Sequence, residues 1–310
     1  MRDEPLVSVI MNGHNAGKYL GEAIDSVLEQ TYSNWEIILW DNLSTDGTRR
    51  IVESYSDNRI RYFFADEFTP LGKARNLAIQ KAKGEFLAFL DCDDIWLPEK
   101  LERQLPLFSD LEVGLVYSDT IFFNSAGQEK RLYFRRKPYR GWCFTDLLNN
   151  YVLSLETVVI RRNVLDKLDH WFDERFSAIE EVDLFVRIGL TWKVDFIPEP
   201  LAKWRVHGES WTWNNPKSFF DEKKQMLEKL EGDEEIALHH PGIIEEAKAL
   251  LCVAEAKHYW ANGSGRKARK MIGCVQKKSA KAILIWFMSF LPYRIIAGTR
   301  DLFVGTVTPK

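Results

Sequence analysis

Apolar positions in the first half of the chain fall into short blocks separated by amphipathic stretches. Val7 to Met11 is a β-branched run suited to a strand buried on both faces. After a polar loop, Leu20, Ala23, Ile24, Val27 and Leu28 repeat at helical spacing. A second apolar run, Ile37 to Trp40, leads through the turn-rich Ser44-Thr45-Asp46-Gly47 into another helix, and Ile60 to Phe64 forms a third run. Ala74, Leu77, Ala78 and Ala82 mark a further helix, and Phe86 to Leu90 a fourth strand. This order predicts βαβ units: an α/β fold with a Rossmann-like, mostly parallel central sheet flanked by helices. Ligands of such sheets bind beyond the carboxyl ends of the strands.

From Val113 the alternation loosens. Leu115 to Tyr117 and Ile121 to Phe123 read as two strands, with a turn at Ser125 to Gly127. Glu156 to Ile160 and Trp192 to Ile197 read as two more, with a helix around Leu184, Phe185 and Ile188. Beyond Pro216 the pattern is helical to the end, and Ile243, Ala247, Leu250, Leu251, Ala254 and His258 share one face. The expected division is a catalytic domain over 1–215, with halves 1–112 and 113–215, and a helical C-terminal region over 216–310.

Composition narrows the partners. A formal net charge of -3 lacks the basic excess that displaces counterions from nucleic acid, so nucleic acid is not an expected partner. Cys92, Cys143, Cys252 and Cys274 form no C-x-x-C pair, which points to reduced cytoplasmic thiols rather than zinc or redox chemistry. The N-terminus carries no apolar signal segment, and a cytoplasmic protein is expected.

The candidate chemistry starts at Asp91-Cys92-Asp93-Asp94, which closes the run Phe86 to Leu90. In extended chain residues two apart share a side, so Asp91 and Asp93 are expected to converge as a hard-oxygen site for Mn²⁺ or Mg²⁺. Acidic residues that merely start a turn are the plain alternative.

The surrounding motifs carry a resemblance. Val7-Ser8-Val9-Ile10, Asn12-Gly13-His14-Asn15, Ser26 to Tyr32, Asp41 to Thr48, Gly72-Lys73-Ala74-Arg75-Asn76, Gly84-Glu85 and Phe89 to Asp94 stand in one order over residues 6 to 210. In that order and spacing the chain resembles the inverting family 2 glycosyltransferases of the GT-A fold, among them those of bacterial surface polysaccharides. The resemblance implies a nucleotide-diphosphate sugar as donor, UDP-linked for preference. It also implies a glycan or polyprenyl-linked acceptor and a metal-assisted single displacement. Asn12, His14 and Asn15 are implied to lie beside the base and ribose, with Asp41, Arg75, Asp91 and Cys92 completing the donor pocket. Asn42 stands where the family has a second Asp; its amide accepts a bond from a base without charge assistance. An ordinary turn residue is the equal alternative.

In Glu180-Glu181-Val182-Asp183 the same resemblance makes Glu181 the general base in place of an aspartate. Glu180 is its nearest competitor, and Asp183 is placed as a capping or orienting residue. In Trp204 to Ser210, similar to the family's R-x-H-x-x-S segment, Arg205 is implied to hold a phosphate oxygen. His207 is implied to join Asp91 and Asp93 at the metal or to touch the diphosphate.

Lys277, Lys278 and Lys281 precede the apolar run Ala282 to Leu291, which is too short to cross a bilayer. Lying on the inner face of the membrane and packing on the catalytic domain or a second subunit of a homo-oligomer are both open for this segment. Two other function classes compete: a nucleotidyltransferase, and a non-catalytic glycan- or membrane-binding module with a decayed site. The first needs a triphosphate loop of which Asn12 to Lys18 is a poor version. The second rests on the departures at Asn42 and Glu181.

Overall fold

A computed structural model describes residues 4–134, 137–208, 215–273, 275 and 280–293. The chain divides into two compact units, Met1–Ser210 and Trp211–Thr306, and each is taken by itself.

The first unit is a nine-stranded sheet covered by helices. Strands β1 (Val7–Gly13), β2 (Trp35–Asp41), β3 (Ile60–Phe64) and β4 (Phe86–Phe89) pair in parallel in the order β3-β2-β1-β4. β2 is buried along its whole length and β1 nearly so, as their unbroken apolar runs require. Helices α1 (Leu20–Leu28), α2 (Thr48–Glu53) and α3 (Leu71–Ile79) make the crossovers. Val9, Met11, Leu20, Ile24, Ile37 and Leu39 share one core, each buried aliphatic side chain contributing roughly 1.5–3 kcal/mol.

The parallel wing ends at β4. Beyond it come β5 (Ile95–Trp96), α4 (Lys100–Gln104), β6 (Val113–Phe123), β7 (Glu129–Arg131), α5 (Phe144–Asn149), β8 (Val159–Arg161), α6 (Glu180–Thr191) and β9 (Lys193–Arg205). β8 joins antiparallel to β4 and β6, and β6 pairs in parallel with β9, so the sheet is mixed. The two strands expected over Leu115 to Phe123 are one. Its polar centre, Ser118-Asp119-Thr120, is carried through register shifts against β9, and the Asp119 carboxylate accepts bonds from Arg131 Nε (2.7 Å) and the Tyr133 N–H (3.0 Å). Of the strand expected over Glu156 to Ile160, Glu156 and Thr157 fall in a 3-10 turn, Leu155–Thr157, before β8.

α3 lies unusually close to the segment that precedes α6. A Cβ on Gly72 would stand 2.2 Å from the Asp173 carbonyl oxygen, so only glycine permits the Gly72 N–H to reach the Phe176 carbonyl (2.9 Å). Asn76 completes the seam by pairing with both backbone groups of Phe172 (2.9 and 3.0 Å).

The second unit is helical: α7 (Pro216–Glu231), α8 (Glu234–His239), α9 (Ile243–Ala261), α10 (Gly265–Gly273) and α11 (Ala280–Met288). Val253, Ala256 and Trp260 of α9 pack against Ala268, Ile272, Ala282 and Ile285. Ile243, Ala247 and Leu251 of the expected α9 face are buried, whereas toward the helix's end burial passes to Val253, Ala256 and Trp260 and Ala254 is exposed. Among the described residues no helix is long and apolar enough to cross a membrane.

Candidate active site

Strand order reverses between β1 and β4, so the loops after these two strands share the crevice where open α/β sheets take their ligands. β4 stops at Phe89, and Asp91 to Asp94 forms a turn closed by the Asp94 N–H on the Asp91 carbonyl (3.1 Å). The extended chain expected at Asp91 to Asp93 is thus replaced by a turn, and the two carboxylates take different partners. Asp91 Oδ1 accepts from Arg75 Nη2 (3.1 Å), and Asp93 Oδ2 lies 2.9 Å from His207 Nε2. Asp91, Asp93 and His207 do not bring three ligand atoms together. Among the described residues the trio that does is His170, Asp173 and Asp183, and its two carboxylates already face Arg175 and Arg187 at 2.7 and 2.8 Å.

The turn is held from beneath. Asp94 is buried and accepts the Arg205 backbone N–H (2.8 Å). The Arg205 side chain bonds the Asp93 carbonyl and Glu22 Oε2, both at 2.8 Å, so it fastens the turn instead of reaching out for a phosphate. Cys92 is also a fastener: its buried thiol donates to the Asn12 carbonyl (3.3 Å), and burial with the surrounding carboxylates pushes its pKa well up. Burial and the charge of Asp93 likewise raise the Asp94 carboxyl well above the usual range. Burial raises Asp91 too, against the pull of Arg75.

Arg75 does not line open space. Its side chain is 4% exposed and bridges Asp91 and Glu180 Oε1 (3.2 Å). Glu180, buried with it, is therefore a structural counter-charge and is set aside as the competing base. Glu181 is partly exposed, and burial plus the neighbouring Glu180 charge push its carboxyl up to about 8. The two glutamates begin α6 side by side, yet Arg75 separates their environments. A base whose pKa lies near neutrality is matched to proton abstraction.

On the other side of the crevice the expected base readers are consumed. Asp41 is fully buried, and its carboxylate accepts from the Ser44 N–H (2.8 Å) and the Tyr62 hydroxyl (2.7 Å). Asn42 donates to the Thr69 carbonyl (2.8 Å) and accepts from the Thr69 N–H (3.2 Å), so its side chain ties two loops together. His14 and Asn15 do stand exposed. A carbonyl only accepts, so His14 Nδ1 carries the proton bonded to the Asn42 oxygen (2.9 Å), leaving Nε2 to accept from Asn15 Nδ2 (3.2 Å). Phe68, 61% exposed, meets the His14 ring edge-on at 5.0 Å.

Four buried polar atoms around the turn have no hydrogen-bond partner: Asn12 Nδ2, Arg75 Nε, Tyr151 Oη and His207 Nδ1. Such atoms are costly unless something binds them. Tyr151 is not a residue to which the sequence points. It belongs to no motif, and only the fold sets it where Glu181 and Glu180 are among the charges that, after burial itself, raise its hydroxyl's pKa.

Residues 8–169, about half of the chain, match the sequence profile described as Glycosyl transferase family 2. The chain is 35% identical over 232 residues to the Escherichia coli protein described as UDP-Glc:alpha-D-GlcNAc-diphosphoundecaprenol beta-1,3-glucosyltransferase WfgD, covering 65% of this chain and 90% of that one. The fold is shared with Staphylococcus aureus TarS 1-349 in complex with UDP-GlcNAc, at a TM-score of 0.66 and 20% identity over 94% of this chain and 92% of that one. It is shared as well with the mannosyltransferase PcManGT from Pyrobaculum calidifontis in complex with GDP-Man and Mn2+, at 0.62 and 19% over 98% and 89%. The architecture is thus that of the GT-A glycosyltransferases. The chain belongs to glycosyl transferase family 2 and is a glycosyltransferase; the nucleotidyltransferase and non-catalytic alternatives give way.

Proposed function

We propose that the chain transfers a sugar from a nucleoside-diphosphate sugar, UDP-linked for preference, to the hydroxyl of a lipid-linked glycan in polysaccharide assembly. The observation that carries this reading is the ring of unpartnered buried polar atoms around the Asp91–Asp94 turn, a demand that diphosphate oxygens and sugar hydroxyls meet. The acceptor and donor named for the Escherichia coli relative, and the UDP-GlcNAc bound by TarS, support the choice of substrates.

In this reading Glu181 accepts the proton of the attacking hydroxyl. That oxygen displaces the diphosphate from the anomeric carbon in one inverting step, and no enzyme nucleophile is required. Tyr151 Oη, close to Glu181, donates to a sugar hydroxyl and orients it. Asn12 Nδ2 serves the donor side, with His14, Asn15 and Phe68 forming an open rim for the base.

A divalent cation of the Mn²⁺ or Mg²⁺ class fits Asp93 and His207. Asp93 Oδ2 and His207 Nε2 face each other at 2.9 Å, a carboxylate oxygen and an imidazole nitrogen that would hold such an ion in place of their mutual contact. The neighbouring Asp91 and Asp94 carry carboxyl pKa values raised by burial and by Asp93, a charge excess that a dication offsets. Bound there, such an ion supplies charge stabilisation for the departing diphosphate.

The test is Glu181→Gln assayed with a nucleotide-sugar panel and a lipid-linked acceptor. Turnover is expected to fall by about 10²–10⁴ with donor affinity retained. Turnover equal to the parent's overturns the assignment.

A further inference from the structure

The second unit carries a surface that the transfer chemistry does not use. α11 turns Ala282 and Ile285 inward, whereas Ile283, Leu284 and Phe287, with Phe290 and Leu291 just beyond, stand 44–62% exposed. Positions 283, 284 and 287 share one face of α11, and Phe290 and Leu291 stand in the turn that follows it. Exposed apolar side chains scattered singly need no explanation; five large ones within one short stretch do.

The sequence of this stretch is one-sided in charge. Between Gly263 and Tyr293 the sequence has seven Lys or Arg and no Asp or Glu, in a chain whose net charge is -3. Arg266, Lys267 and Lys270 of α10 are exposed. A second copy docked here would set like charges against each other, and nucleic acid has no use for an aliphatic and aromatic stripe. α11 spans nine residues, about 14 Å at the helical rise, against a hydrocarbon core of about 30 Å. It is therefore suited to lie in an interface and not to cross one.

We propose that α10 and α11 form a docking surface for an anionic lipid bilayer, with Leu284, Phe287 and Phe290 entering the acyl boundary and the basic residues meeting the headgroups. The proposal gives the enzyme a reason to meet the lipid-linked acceptor proposed above. Vesicle binding is read without turnover, so either reading can fail while the other stands.

The experiment is co-sedimentation of the full chain with phosphatidylcholine vesicles, with and without phosphatidylglycerol. Partition is expected to be at least about ten-fold greater on the anionic vesicles and to fall with added salt, since each basic residue near such a surface contributes roughly five-fold. Leu284→Ser with Phe287→Ser, and separately Arg266→Glu with Lys270→Glu, should each cut partition about ten-fold at unchanged melting temperature. The charge pair keeps the test decisive if the apolar pair misfolds. Equal binding to neutral vesicles, absence of binding to anionic ones, or parent-like binding by well-folded variants overturns it. So does a concentration-dependent dimer that the Leu284 and Phe287 changes abolish.

Discussion

The two sides of the crevice spend their polar groups differently. Around Asp41 and Asn42, side chains predicted to read the nucleotide are saturated by Ser44, Tyr62 and Thr69. Around the Asp91–Asp94 turn and the start of α6, buried atoms of Asn12, Arg75, Tyr151 and His207 have no partner among the described residues, and Glu181 is partly exposed. A motif residue is thus no more bound to chemistry than its neighbours allow. In the proposed reading the first side is scaffold that fixes loops, and the second binds and reacts.

The sharpest way to break this contrast is at Asp93. If the turn side carries the chemistry with a dication, Asp93→Asn or full chelation should lower turnover by at least about 100-fold, measured by donor consumption with excess acceptor, and added Mn²⁺ should restore the chelated enzyme. Activity indifferent to both would place the chemistry elsewhere. Tyr151→Phe is next. It removes only an unpaired hydroxyl, so melting temperature should hold while kcat/KM falls by roughly ten-fold, the worth of about one hydrogen bond to substrate.

The smallest activity change is expected on the saturated side. Asn42→Asp would turn a carboxylate toward the Thr69 carbonyl, costing about 1–3 kcal/mol of stability in a thermal melt. The ranking of nucleotide-sugars should not move. A changed donor preference at unchanged stability would mean that residue 42 reads the base after all.

Much of this was legible in the chain. The runs at Val7, Ile37, Ile60 and Phe86 placed the four parallel strands; β1, β2 and β4 are buried on both faces and leave apolar blocks, whereas β3 is a partly buried edge strand. The family was legible through motifs that fall at strand ends. Side-chain direction was not. Asp91 and Asp93 were read as strand residues, but β4 ends two residues before Asp91, and that shift sends one carboxylate to Arg75 and the other to His207. Arg75 and Glu180 looked alike to any exposed charged pair at a helix start; only the close approach at Gly72 and Asn76 buries them together. Tyr151 had no local pattern to announce it.

The most direct test of the division between Glu180 and Glu181 is the pH dependence of kcat/KM for the unaltered enzyme. Glu181 must be ionised to take a proton. Its carboxyl is raised to about 8 by burial and by Glu180, and a nearby cation draws it down. The rate is expected to climb with pH and level off, with its midpoint between about 6 and 8. A profile flat from about pH 6 to 9, or one that falls over that range, would contradict it.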